Sequence, residues 1–109
     1  MKAVGIDLGT TFSALAVLND YGNPEIVPNR EGERITPSVV LFDAQNQVTV
    51  GAIAKNTAVS DPENVVEFIK RQMGNPDFVF AHSGREFRPE DISAMIIKKL
   101  KTDAETLLG

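Results

Sequence analysis

The residues best suited to chemistry lie near the start of the chain, in the sequence Asp-Leu-Gly-Thr-Thr at positions 7–11. A buried strand has no structural need for Asp7. Gly9 lets the backbone approach a ligand closely, and successive amides in such a turn form a concavity that binds anions. Thr10 and Thr11 would add hydroxyl donors, and Asp7 would hold magnesium, which keeps much of its water. The pattern predicts a magnesium and phosphate site, although a structural hairpin turn with an incidental acid explains these five residues equally well.

Other phosphate-handling motifs are missing from the sequence. A Walker loop requires Gly-Lys-Ser/Thr, and a dinucleotide fingerprint requires G-x-G-x-x-G before a helix; neither occurs. An aspartyl phosphotransferase would typically carry a second acid two residues after Asp7, where Gly9 stands instead. The choice between a phosphate site and a plain turn therefore depends on the rest of the chain.

The composition indicates a soluble, folded protein with no nucleic-acid or membrane partner. Of the 109 residues 42% are hydrophobic and 24% charged, and the net charge is −4, whereas binding to nucleic acid or an anionic membrane needs a surplus of Lys and Arg. Cysteine is absent and there is one histidine, which excludes disulfides, thiolate zinc sites and thiol nucleophiles. Because the sequence shows no signal-peptide core and no membrane-spanning run, we expect a cytoplasmic protein.

Strand and turn signals predict a β-rich first half. The predicted strands are 3–8, 13–18, 25–28, 38–42 and 48–50, the first two forming a hairpin. The second strand is apolar on both faces, which is typical of sheets that are covered on both sides. We therefore expect an amino-terminal piece of a larger α/β domain, with a compact α+β domain as the alternative.

Helix signals are concentrated in the second half. A short helix is predicted over 52–59, a second from about 62 to 73, and the longest from 89 to the end of the chain. Residues 78–81 and 86–88 should form another hairpin, with His82 exposed and uninvolved beside its turn. Three lysines should form a hydrated face of the long helix: Lys98, Lys99 and Lys101.

Four segments in order carry a resemblance to a known family. They read VGIDLGTTFS, RITPSVVLF, VGAIAKNTAVSDPENVVEFIKRQMG and FRPEDISAMIIKKLKTDAETLLG. Together they closely resemble the start of the 70 kDa heat-shock chaperones of the DnaK type, over nearly all 109 residues. Residues 7–11 alone would indicate only the wider superfamily of actin, sugar kinases and heat-shock proteins.

The resemblance implies an α/β fold of the actin-like ATPase (ribonuclease H-like) class. Residues 1–37 would begin subdomain IA of lobe I, and residues 38–109 would form subdomain IB. The remainder of the ATPase domain and the peptide-binding domain are not in the sequence. The stretch from 74 to 87 is shorter than in the best-known members, so the outer hairpins of subdomain IB would be trimmed.

The resemblance also implies the site residues. Asp7 would lie near the water shell of the magnesium ion and act in catalysis, and Lys70 would point at the terminal phosphate. A hydrated surface lysine is the simpler interpretation of Lys70 outside the family. The first phosphate-contacting turn would comprise Gly9, Thr10, Thr11 and Phe12. Phe12 has no hydroxyl and can only pack there.

By the same resemblance, the parent protein binds ATP and ADP with magnesium and hydrolyses ATP to drive binding and release of unfolded polypeptides. A J-domain co-chaperone and a nucleotide exchange factor would be its partners, and this chain alone would be inactive. The alternative from another class is a filament-forming or sugar-phosphorylating relative that shares only the phosphate turn.

Overall fold

The first part of the chain folds into an antiparallel sheet. The computed structural model describes residues 4–108. Its first sheet consists of β1 (Val4–Leu8), β2 (Phe12–Leu18), β3 (Pro24–Val27) and the short β4 (Thr36–Pro37). β2 lies between β1 and β3, and β4 pairs with the start of β2. The predicted hairpin and third strand are confirmed in the described residues; Ala3, predicted to begin the first strand, lies outside them.

Two smaller sheets follow. In the first, β5 (Val40–Phe42) lies between β6 (Val48–Val50) and β7 (Val65–Val66). The second is a hairpin of β8 (Phe80–His82) and β9 (Arg85–Phe87). The short helix α1 (Ala52–Thr57) follows β6 and places the fully buried Ala54 against Val39 and Val65.

The long helix α2 (Pro89–Leu108) covers the core. Its start is stabilised by Asp91, whose carboxylate accepts a 2.8 Å hydrogen bond from the backbone amide of Arg88. Its buried face repeats every four residues, as expected for one stripe of a helix. That face consists of Ile92, Ile96, Leu100 and Ala104, and it packs in one cluster with Leu15 and Val17 of β2 and Phe42 of β5.

The predicted helix from 62 to 73 is wrong. The segment contains a 3-10 turn (Pro62–Asn64), the strand β7 and a second 3-10 turn (Ile69–Gln72). Val65 and Val66 are β-branched, which favours strand, and they pair with Leu41 and Val40 of β5. Pairing with a strand more than twenty residues away therefore overrides the local helix-start signal.

Two side chains that were predicted to be hydrated make specific contacts instead. His82 is half-buried and lies within hydrogen-bond distance of the Asn64 side chain (3.1 Å) and the backbone oxygen of Asp43 (2.8 Å). The Lys99 ammonium binds the buried carboxylate of Asp103 at 2.6 Å and reaches Glu31 at 3.1 Å. Helical periodicity cannot reveal Glu31, because it belongs to a loop 68 residues away.

Within residues 4–108, neither helix combines the length and apolar character required to cross a bilayer.

Candidate functional site

The site is built around the tight connection between β1 and β2 and the first residue of β2, together residues 9–12, here called the glycine turn. The two strands stay in register up to its edge, where Leu8 pairs with Ser13 and Asp7 with Ala14. A Cβ atom on Gly9 would lie only 2.3 Å from the carbonyl oxygen of Phe12. Such a distance is far below van der Waals contact, so the turn in this shape requires glycine at position 9.

Ser38 fixes the glycine turn from outside. Its backbone amide donates to the carbonyl of Thr11 and its hydroxyl donates to the carbonyl of Gly9, both at 2.9 Å. Since that hydroxyl has a single proton, the 2.8 Å bond between the Ser38 and Ser13 hydroxyls must be donated by Ser13. Both serine side chains are buried. Sequence reasoning missed Ser38, because its partners Gly9, Thr11 and Ser13 lie more than twenty positions away along the chain.

Asp7 is placed beside the glycine turn on an open surface. Its register partner is Ala14, so its side chain lies on the sheet face opposite to Ser13 and Leu15. The residue is exposed. No group of three His, Asp or Glu side chains that could hold a metal occurs among residues 4–108. A lone exposed carboxylate still fits magnesium held mainly by phosphate and water, since this ion usually takes only one or two carboxylates.

The glycine turn packs against the segment that precedes Lys70. A small cavity of about 30 Å³ marks this contact, and its lining comprises Thr10, Thr11, Ser38, Val39, Lys55, Glu67 and Phe68. This space holds little more than a water molecule, so it is a packing seam and not a nucleotide pocket. The structure thus brings the predicted turn and residues 67–68 together. Lys70 itself is exposed and does not line the cavity.

A strained residue directs the chain toward Lys70. Phe68 adopts the left-handed conformation, with φ of 58° and ψ of 33°, immediately before the 3-10 turn that contains Lys70. This conformation costs an L-residue other than glycine roughly 1–2 kcal/mol. The Arg71 guanidinium lies 4.5 Å from the centre of the Phe68 ring. Ile69, which directly follows Phe68, is buried. The bend therefore buries Ile69 and leaves Lys70 facing solvent.

Two further features of the site concern Phe12 and Lys55. Phe12, at the start of β2, pairs with Pro37 and leaves 38% of its surface exposed. The ammonium of Lys55, from α1, lies 4.8 Å from the centre of the Phe12 ring. Sequence reasoning missed Lys55 because nothing in its local pattern distinguishes it from a solvated helix lysine.

A wider groove elsewhere in the structure is not the predicted nucleotide site. It measures about 650 Å³, lies between β6 and α2, and is lined in part by Met95, Lys98 and Asp103. None of the residues predicted to bind nucleotide belongs to its lining.

Comparison of the sequence with known proteins identifies its family. The family model described as Hsp70 protein matches residues 3–80. The chaperone protein DnaK of Thermotoga petrophila and that of Thermotoga sp. strain RQ2 are each 47% identical to the chain over 106 residues. Each alignment covers 97% of this chain but 18% of the relative, so the chain spans less than a fifth of these proteins. On these matches, the chain belongs to the Hsp70 family.

Proposed function

We propose that this chain is the start of the ATPase domain of a molecular chaperone, with residues 1–37 beginning subdomain IA and residues 38–109 forming subdomain IB of an actin-like ATPase fold. Membership of the Hsp70 family and the 97% coverage of this chain by two DnaK chaperones support the assignment. In this proposal the chain alone is inactive, because the rest of the nucleotide cleft belongs to the part of the relatives that it does not cover.

The glycine turn is the phosphate-binding element in this proposal. Because Gly9 has no Cβ atom, the Phe12 carbonyl can lie close to it and the backbone of residues 9–12 can form a tight turn. Backbone amides in such a turn, together with the hydroxyls of Thr10 and Thr11, are suitable donors for phosphate oxygens. The two bonds from Ser38 hold the turn in shape before any ligand arrives. Preorganised donors of this kind lose little free energy to rearrangement on binding.

Lys70 and Asp7 supply the charges in the proposed reaction. Phosphoryl transfer to water depends on positioning and charge stabilisation more than on covalent help. The exposed Lys70 ammonium would stabilise the negative charge on the transferred phosphoryl group, and the Asp7 carboxylate would help to hold hydrated magnesium. When bound, magnesium would neutralise part of the phosphate charge. Adjacency of the glycine turn to Glu67 and Phe68 is the single observation that carries the proposal, since it joins the two distant halves of the site.

ATP or ADP with magnesium is therefore the proposed ligand, and ATP hydrolysis would drive binding and release of unfolded polypeptides by the whole protein. A J-domain co-chaperone, a nucleotide exchange factor and a cytoplasmic location belong to the same proposal, on the basis of family. The filament-forming or sugar-phosphorylating alternative is not favoured, since the match extends far beyond the five residues of the common phosphate motif.

ATP turnover of the full-length protein and of its Lys70→Ala variant tests this function. We expect kcat to fall by about 100-fold or more, as for loss of one preorganised charge-stabilising group. Lys101→Ala is the matched control, since Lys101 is a highly exposed lysine of α2. Equal turnover by the Lys70→Ala variant and the parent protein would remove the role assigned to Lys70.

A further inference from the structure

The packing seam contains one cation that the proposed reaction leaves without a role. Lys55 lines the small cavity together with Thr10 and Thr11, and its ammonium lies over the face of the Phe12 ring. A cation over an aromatic face is attracted by the negative potential of the ring. Among residues 4–108, the ion pairs found do not include Lys55, although Glu67 lines the same cavity. The ring of Phe12 is therefore the contact that orients this ammonium.

Hydrogen bonds and burial hold the backbone from which the Lys55 side chain projects. The amide of Gly51 donates to the carbonyl of Val39, and the amide of Lys55 donates to the carbonyl of Gly51, both at 3.0 Å. Ala54, the preceding residue, is completely buried. The backbone of Lys55 is thus fixed relative to the sheet that contains β5, even though its side chain is exposed.

Phe12 is the last residue of the glycine turn, and its position affects the shape of the whole turn. Its carbonyl oxygen is the atom that leaves no room for a Cβ on Gly9. A shift of Phe12 therefore moves the carbonyl against which the turn is folded. The aromatic ring cannot donate or accept a strong hydrogen bond, so packing and the contact with Lys55 hold its exposed side.

We infer that Lys55 is a positioning residue for the phosphate site: its ammonium clamps the Phe12 ring and so keeps the glycine turn in the shape that binds the phosphates of ATP. The inference rests on the proposed function, because the turn must bind phosphate for its shape to affect nucleotide affinity. The clamp joins residues 1–37 to residues 38–109, so it also couples the position of α1 to that of the turn.

The test is a double-mutant cycle between Lys55 and Phe12 in the full-length protein, with the KM for ATP and kcat measured separately. Lys55→Met removes the charge and keeps an unbranched side chain, and Lys55→Arg keeps a cation that stacks on rings. A cation over an exposed ring contributes about a two- to fivefold effect. We expect Lys55→Met to raise KM by that factor with kcat nearly unchanged, and Lys55→Arg to restore KM. In a Phe12→Leu background, Lys55→Met should have no further effect.

Other results would overturn the clamp. Additive effects of Lys55→Met and Phe12→Leu would show that the two side chains do not act together. An equal rise in KM from Glu67→Gln would show that Lys55 acts through Glu67. An unchanged KM with a lowered melting temperature would reduce Lys55 to a structural role. Lys101→Met controls for the loss of a surface charge.

A second measurement tests the contact between Lys55 and the Phe12 ring independently of ATP binding. In carbon-edited NMR spectra, the ε-methylene protons of Lys55 should be shifted upfield by the Phe12 ring and return to ordinary values in Phe12→Leu. Ordinary shifts in the parent protein would overturn the clamp. If Lys70→Ala abolishes turnover but Lys55→Met leaves KM unchanged, the clamp alone fails. If the parent protein has no ATP turnover, the proposed function fails and the clamp loses its role in binding, while the NMR shift still reports whether the contact exists.

Discussion

At the scale of single residues, Gly9 meets the strictest steric demand in the site. An alanine Cβ there would lie 2.3 Å from the Phe12 carbonyl oxygen, a backbone atom that cannot move independently of the turn. We expect Gly9→Ala to lower the free energy of unfolding by about 1–3 kcal/mol, as for other overpacked sites, and to weaken ATP binding. Urea-induced unfolding measures the first effect.

Gly5 provides the matched control for this prediction. Gly5 lies in β1, four residues before Gly9, yet a Cβ atom there would meet nothing within 4 Å. Gly5→Ala should therefore leave stability unchanged or raise it by up to about 1 kcal/mol, since alanine loses less backbone entropy in a strand. Equal destabilisation by the two substitutions would contradict the steric argument for Gly9.

At the scale of elements, an ion cluster joins α2 to the loop that follows β3. Lys99 contacts Asp103 and Glu31. The side chains of Lys99 and Asp103 are only 16% and 6% exposed. Lys99→Met would leave the Asp103 carboxylate buried without its cation. We expect a loss of about 3 kcal/mol in the free energy of unfolding, measured in urea, as for other broken buried pairs.

Lys101→Met is the control for Lys99→Met. Lys101 and Glu105 have the same spacing on α2, but their side chains are 74% and 67% exposed and 3.9 Å apart. Exposed pairs of this kind contribute less than about 0.5 kcal/mol. Similar losses from both substitutions would show that Lys99 acts only as a surface charge.

The separation along the chain between contacting residues explains which elements the sequence could and could not predict. The hairpin around the glycine turn and the long helix α2 depend on local alternation and spacing, so both were predicted correctly. The pairing of β7 with β5 and the bonds from Ser38 to Gly9 join residues more than twenty positions apart. A single sequence contains no signal for such partners. For that reason the helix over 62–73 was wrong and Ser38 and Lys55 were missed.

At the scale of the whole molecule, α2 covers only part of one face of the first sheet, and the opposite face is largely exposed. Val4 and Ile6 are 51% and 40% exposed beside the buried Leu15 and Val17. On the opposite face Leu18 is 49% exposed. The radius of gyration is 14.6 Å, above the roughly 13 Å of a compact chain of this length. Apolar sheet surface of this kind supports the proposal that further parts of an ATPase domain pack against both faces.

The most direct test of the phosphate-site assignment is a crystal structure of the full-length protein with magnesium and a non-hydrolysable ATP analogue. We expect phosphate oxygens within about 3 Å of amide or hydroxyl donors of the glycine turn, with the Lys70 ammonium in contact with the terminal phosphate and the Asp7 carboxylate beside the magnesium water shell. A nucleotide bound away from the glycine turn, or a Lys70 ammonium that cannot reach its phosphates, would contradict the assignment.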